Sequence, residues 1–182
     1  MKNNIRRQDR RTSIDEAVDL MKRGEFGILS MCSSEKEGYG IPINYVFDNS
    51  RIYFHCATEG AKLEYLRNNN KVSFCVVWET KVIPSDFGTL YNSAIAFGEI
   101  TEVEGEEKRE ALMLIIKKYS SDFIEEGVEY INRLYERVKV LKLSIETITG
   151  KSRKHWFICT NTQQWFILHA CFSAICKLGS RW

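Results

Sequence analysis

The stretch from residue 41 to residue 56 limits the architecture more than any other part of the chain. Ile41, Ile43, Tyr45 and Phe47 stand at alternate positions, the two-residue period of a half-buried strand. Asp48-Asn49-Ser50 supplies turn chemistry, and Arg51 to Cys56 returns as the second arm of a hairpin. Strands joined by a tight turn pair antiparallel. A doubly wound parallel sheet needs a crossover helix between nearly every strand pair, and here the strands follow one another through turns.

The flanking segments agree with that reading. Ser13-Ile14-Asp15-Glu16 is a capping-box pattern, and Ile14, Ala17, Val18 and Met21 follow at helical spacing, so a helix is expected over 13–22, ending before Gly24. Phe26 to Cys32 is a short apolar run with strand character. Gly60 to Arg67 reads as a short helix closed by Asn68-Asn69-Asn70, and Lys71 to Trp78 as the next strand. After a loop containing Pro84 comes a strand over 93–102. Glu106 to Tyr119 is a helix with its apolar stripe at Ala111, Leu112, Ile115 and Ile116. A second helix over 123–133 and a last strand over 138–145 complete the series. Sequential strands with helices inserted late predict an α+β fold, an antiparallel sheet closing into a barrel with helices at its side and ends.

The chain has 182 residues, enough for one domain with a proper core and few for two. That domain is placed at 1–154. The whole chain's net charge of +2 gives no ground for a nucleic-acid partner. Arg6, Arg7, Arg10 and Arg11 do cluster, but Asp9 interrupts them and Asp15 and Glu16 follow, the pattern of a solvated arm. The first residues are charged where a signal peptide needs an apolar stretch. The cysteines at 32, 56, 75, 159, 171 and 176 are scattered without a CxxC pair, which favours reduced thiols and a cytoplasmic location.

The chemistry concentrates where Ile52 to Ala57 runs into Thr58-Glu59-Gly60-Ala61-Lys62-Leu63. A strand there delivers the chain into a glycine turn, and a helix opens with a lysine in its first turn. Helix N-termini carry unpaired N–H groups and partial positive charge, which suits a phosphate, and Lys62 adds a mobile point charge. The same lysine on a solvated helix would need no ligand to explain it. His55 titrates near neutrality and so is the candidate for proton donation, substrate orientation or metal ligation, against a plain hydrogen-bonded strand histidine. Cys56 should face the other way on the strand and, with no basic neighbour in sequence, reads as packing.

The string GIPINYVFDNSRIYFHCATEGAKLEYLRNNNKVSFCVV resembles the flavin-binding core of the nitroimidazole-resistance proteins, members of the pyridoxamine phosphate oxidase-like superfamily. NSAIAFGEITEVEGEEKREAL and VLKLSIETITGKSRK resemble that family's later strand, acidic helix start and closing strand, so the likeness spans residues 6–154. The resemblance implies a split β-barrel, an FMN cofactor and a homodimer with the flavin between two barrels. Asn44, Tyr45, Val46, His55, Cys56 and Ala57 would line the ring and ribityl chain. Lys62, beside Leu63, would hold the phosphate. Ser93 and Ala94 would approach the ring, and Lys151, with Arg153, would reach the cofactor or the neighbouring subunit. The activity implied is oxidation or reduction of a small molecule, nitroaromatics included, with His55 as the catalytic residue. A non-catalytic flavin or haem binder of the same fold is the alternative, with His55 as the axial ligand.

Two positions depart from the pattern. Oxidases proper carry an arginine immediately before the lysine, where this chain has Ala61, which argues against pyridoxine-phosphate oxidation. The resistance proteins often carry tryptophan where this chain has Tyr135. Residues 155–182 form an atypical tail holding three of the four tryptophans and three of the six cysteines. Its apolar run, Trp165 to Leu178, falls short of the roughly 20 residues that span a bilayer, so lipid docking is not favoured. His155, Cys159, His169, Cys171 and Cys176 match no zinc-binding spacing.

Overall fold

The structure, a computed structural model, describes residues 5–154, and the expectations for the tail lie outside the described residues. Helix α1 (Ile14–Arg23) begins as the sequence predicts. The Glu16 N–H donates to Ser13 Oγ at 3.1 Å, while the Ser13 N–H donates to the Glu16 carboxylate at 2.9 Å. Ala17, Leu20 and Met21 form its buried face, whereas Ile14 stays exposed. Strand β1 (Phe26–Cys32) has the expected bounds.

The run over 41–47 does not make a single hairpin arm. It divides at Tyr45 into β2 (Gly38–Asn44), which pairs with β1, and β3 (Val46–Asp48), which pairs with β4 (Arg51–Cys56). The inward alternation of Tyr39, Ile41, Ile43, Tyr45 and Phe47 carries straight through the break, which is why the pattern conceals it. The turn into β4 is the two-residue type that the sequence suggests, with Asn49 and Ser50 both at positive φ.

Helix α2 (Ala61–Asn68) follows β4. Three long strands follow within the described residues: β5 (Lys71–Ile83), β6 (Gly88–Val103) and β7 (Lys139–Arg153). The loop expected between β5 and β6 is mostly ladder, because Lys81, Val82 and Ile83 pair with Leu90, Thr89 and Gly88 beyond a bulge after Trp78. Helices α3 (Gly105–Tyr119) and α4 (Ile124–Leu134) fill the β6–β7 connection.

All seven strands form one antiparallel sheet in the order β2-β1-β5-β6-β7-β4-β3. Its two edges, β2 and β3, are consecutive pieces of the same chain, so the sheet curls round until one residue, Tyr45, bridges its edges. Inside the curl lies the main core, with Leu29, Ile52, Phe54, Phe74, Val76 and Leu143 fully buried. The Phe74 ring meets Tyr45 and Phe54 edge-on at 4.7 and 5.1 Å between centroids. A second core lies outside it, where Leu112 and Ile115 of α3 and Ile131 of α4 cover Val46, Tyr53 and Val140 on the outer sheet face.

Candidate functional site

The sheet is closed only in part. Strand β3 covers β4 from Arg51 to Tyr53, and beyond Tyr53 the edge of β4 opposite β7 carries no ladder partner among the described residues. Strand β2 pairs with β1 alone, and its outer edge approaches β4 across this opening. Backbone donors and acceptors of both strands therefore face a split in the barrel wall, where an unpaired amide favours any ligand with hydrogen-bonding edges.

Around the split stand several residues that the sequence singled out. His55 lies on the outer face of β4, Cys56 on the inner, as strand alternation requires. Lys62, in the first turn of α2, comes back onto both. Its positive charge acts on both the Cys56 thiol and the His55 ring. The spatial neighbour that sequence reading denied to Cys56 is thus Lys62. Burial still raises the thiol's pKa by more than Lys62 lowers it, so Cys56 remains a packed thiol rather than a nucleophile. Burial and the Lys62 charge together hold the His55 imidazole below its ordinary pKa, favouring the neutral ring.

The turn before α2 is shaped for a ligand. Gly60 occupies φ +125°, open only to glycine at low cost, and, its chain neighbours aside, no atom of the described residues stands within 4 Å of the place where its β-carbon would be. Among the described residues no side chain caps the helix. First-turn amides, an open glycine and a lysine are the kinds of group that can hold an anion.

His55, Cys56 and Ala57 also form one wall of a cavity of about 390 Å3. Its other walls are apolar, from Leu112 and Ile115 of α3 and Ile131 and Leu134 of α4, with Arg137 at the rim. None of these helix residues was singled out by sequence reading, though the α3 members belong to the stripe it identified.

The remaining predicted residues lie in three other settings. Leu63 anchors α2 in the main core, and Val46 sits in the second core beside Tyr53, its partner on β4. Tyr45 is fully buried, and its Oη donates to the Met21 carbonyl oxygen at 2.7 Å. The Tyr45 N–H donates to Tyr119 Oη at 2.9 Å, and its carbonyl oxygen accepts from Lys118 Nζ at 2.9 Å. Asn44 precedes it at the exposed end of β2. Lys118 and Tyr119 escaped the sequence reading although a signal existed: both extend the inward face of Ala111 and Ile115 at helical spacing. Tyr135 donates to the Gly105 carbonyl oxygen at 2.8 Å, with Lys108 above its ring.

Ser93, Ala94 and Lys151 are not brought to His55. Ser93 Oγ donates to the Lys151 carbonyl oxygen at 3.3 Å, and Ala94 is fully buried. His55 pairs with Val140, which pairs with Val103 at the far end of β6 from Ser93. At about 3.3 Å per residue, the two groups stand roughly 30 Å apart along the strand.

The topology and the split define the class: an antiparallel split barrel with helices packed on its outer face. The chain belongs to the pyridoxamine 5'-phosphate oxidase family, whose model matches residues 13–152. Among solved structures it is similar to a candidate 5-nitroimidazole antibiotic resistance protein from Bacteroides thetaiotaomicron. Identity there is 25%, with 77% of this chain and 84% of that one covered and a TM-score of 0.64. It is also similar in fold to an FAD- and haem-binding protein from Mycobacterium smegmatis, at 17% identity, 87% and 78% coverage and a TM-score of 0.67. An FAD-binding protein from Mesorhizobium loti matches at 20% identity, 80% and 98% coverage and a TM-score of 0.57. No curated protein sequence matches the chain. No helix among the described residues is long and apolar enough to cross a membrane.

Proposed function

We propose that this chain is a flavin-dependent oxidoreductase of small molecules, with FMN as cofactor and nitroaromatic compounds among its substrates. The observation that carries the reading is the split itself. Free strand edges, an uncapped helix start at an open glycine, Lys62 and His55 converge there within one segment of chain. FMN supplies two-electron redox chemistry when bound. Lys62 and the first amides of α2 hold the phosphate, and main-chain groups of Asn44 and His55 to Ala57 meet the polar edges of the flavin. The His55 imidazole, neutral near pH 7, orients the substrate or passes it a proton.

The site takes two chains. Ser93 and Lys151 are too far along the sheet to meet a flavin held at Lys62 of the same chain. A homodimer in which each copy lays Ser93 and Lys151 against its partner's cofactor reconciles both groups. The exposed Phe26, Ile28 and Val77, on neighbouring strands of the outer face, give such a copy an apolar surface to cover. The free thiols of Cys32, Cys56 and Cys75 suit a reducing, cytoplasmic setting.

A second reading rests on the apolar cavity beside His55, whose imidazole would ligate the iron of a bound haem. The absorption spectrum of protein purified without added cofactor separates the two. Flavin bands and released FMN, with retention weakened in Lys62→Ala, support the proposal. An intense Soret band lost in His55→Ala replaces flavin by haem, and a colourless protein that takes up neither rejects both.

A further inference from the structure

The cavity beside His55 carries a charge pattern that flavin binding at the split leaves unused. Its volume, about 390 Å3, lies within the range of small-molecule sites. The end of β4 supplies one wall, and Leu112, Ile115, Ile116, Ile131 and Leu134 of α3 and α4 supply the apolar ones. Gly127 lets the two helices meet closely: a β-carbon there would stand 2.5 Å from Ile116 Cγ2. The apolar walls are thus held by helix packing rather than by a loop.

Arg137 stands at the rim, on the turn Tyr135–Arg137 that leaves α4. Its backbone is anchored on both sides. Tyr135 Oη donates to the Gly105 carbonyl oxygen at 2.8 Å, and β7 begins at Lys139 and pairs Val140 with His55. The Arg137 side chain is exposed and makes no hydrogen bond or ion pair among the described residues. No carboxylate lines the cavity. Cys56 remains a neutral thiol, and burial with the Lys62 charge favours the neutral His55 ring. Arg137 is therefore the single full charge among the lining residues, and it has no acid to answer it.

We propose that this cavity is the substrate chamber and that it selects compact apolar carboxylic acids, with Arg137 as the residue that sets the preference. The apolar body of such an acid leaves water for the leucine and isoleucine walls. Its carboxylate stays at the mouth, where the guanidinium fork accepts two oxygens at once. An amine would bring a second positive charge to a rim that has no acid to receive it, and a neutral compound gains burial alone. A nitro group presents the same two planar oxygens without a full charge, so nitroaromatics fit the same place with a weaker bond. The substrate role rests on the flavin reading of the split; the binding preference does not need it.

Calorimetric titration of the full-length protein, as purified, with benzoate, naphthoate, benzyl alcohol and benzylamine tests it. Naphthoate should bind more tightly than benzoate, benzoate more tightly than benzyl alcohol, and benzylamine most weakly, with the acids weakened as salt is raised. Arg137→Gln should weaken both acids by about tenfold and leave benzyl alcohol unchanged, and Arg137→Glu should turn the preference to benzylamine. Arg137 has no bond to lose, so both variants should keep the wild-type melting temperature. Leu134→Trp, which fills the chamber, should weaken all the ligands together. Equal binding of benzoate and benzyl alcohol, acid affinity that survives both Arg137 variants, or full affinity in Leu134→Trp would overturn the proposal. An intense Soret band in the purified protein would do the same, since haem would then hold the cavity. Flavin content, read from the spectrum of the same samples, separates the two readings. A colourless protein that binds acids through Arg137 loses the flavin reading alone, and a flavin protein indifferent to ligand charge loses this proposal alone.

Discussion

The Lys118 ammonium sits 3.9 Å above the centre of the Tyr45 ring and donates to the Tyr45 carbonyl oxygen at 2.9 Å. A second bond, at 2.6 Å, goes to the Gly24 carbonyl oxygen. The end of α3 is thereby pinned to the residue at which the sheet passes from one edge to the other, and to the entry of β1. No carboxylate lies within salt-bridge distance of this lysine among the described residues.

That placement gives a pH signature. Burial lowers the Lys118 pKa from its ordinary value to about 8, with Glu25 pulling weakly the other way. Between about pH 8 and 10.5 the unfolded chain holds this proton and the folded chain does not, so stability from this group rises with pH in that window. Below pH 8 the cost of the buried charge is constant. Urea melts of wild type and Lys118→Met at pH 7, 8, 9 and 10 should show a rise of about 1–2 kcal/mol in the wild type, relative to the variant. Parallel pH curves would place the lysine's charge in water.

Tyr119 completes the clamp. Its hydroxyl accepts the Tyr45 N–H and also lies within 2.7 Å of the Tyr45 carbonyl oxygen. Tyr119→Phe leaves that N–H without its partner, at a cost of about 1–3 kcal/mol. A melting temperature lower by several degrees is expected, with weaker cofactor retention, because Asn44 and Val46 flank the loosened residue.

Lys62 and His55 are linked through space, and the link can be read directly. Lys62→Ala removes a cation that lowers the His55 pKa, so the imidazole should titrate at higher pH in the variant, while burial keeps it below a free histidine. An NMR titration of the ring protons checks this. An unchanged midpoint would separate Lys62 from His55.

Glu107 holds three groups of the outer sheet face. Lys142 Nζ donates at 3.0 Å and Tyr53 Oη at 3.0 Å, and Arg51 stands 3.9 Å away. The Lys142 bond, foremost, lowers its pKa. A depressed carboxylate stabilises the fold above its unfolded pKa and loses that contribution as pH falls through the folded value. Glu107→Gln should therefore cost stability at pH 7 and nothing near pH 2. The site is partly solvated, so the difference should stay below about 1 kcal/mol.

The fold was legible where periodicity and capping act locally. Strands β1 and β4 keep their expected limits, and α1, α3 and α4 shift by a residue. The long strands were under-read. Lys81 to Ile83 pair with nearby Gly88 to Leu90 but beyond a bulge after Trp78 that breaks the alternation, whereas Thr147 to Arg153 pair with Tyr91 to Phe97, distant in sequence, and no local pattern announces such pairing. The break at Tyr45 was invisible because the side chains keep alternating while the hydrogen-bonding partner changes. At the site, the strand-turn-helix segment was legible as a unit. The cavity against α3 and α4 was not, since it depends on helices inserted some fifty residues later in the chain.

Strand β4 finds its main partner in β7, with Arg51 opposite Ser144 and Cys56 opposite Lys139. Loop closure over such a separation is slow and entropically costly. During synthesis Ile52 and Phe54 emerge early and wait, with only a three-residue hairpin at their side, until the last strand is made. The edge of β4 that β7 later covers thus stands open in the growing chain and makes it prone to association, and its yield in a cell should depend on how quickly residues 139–153 arrive.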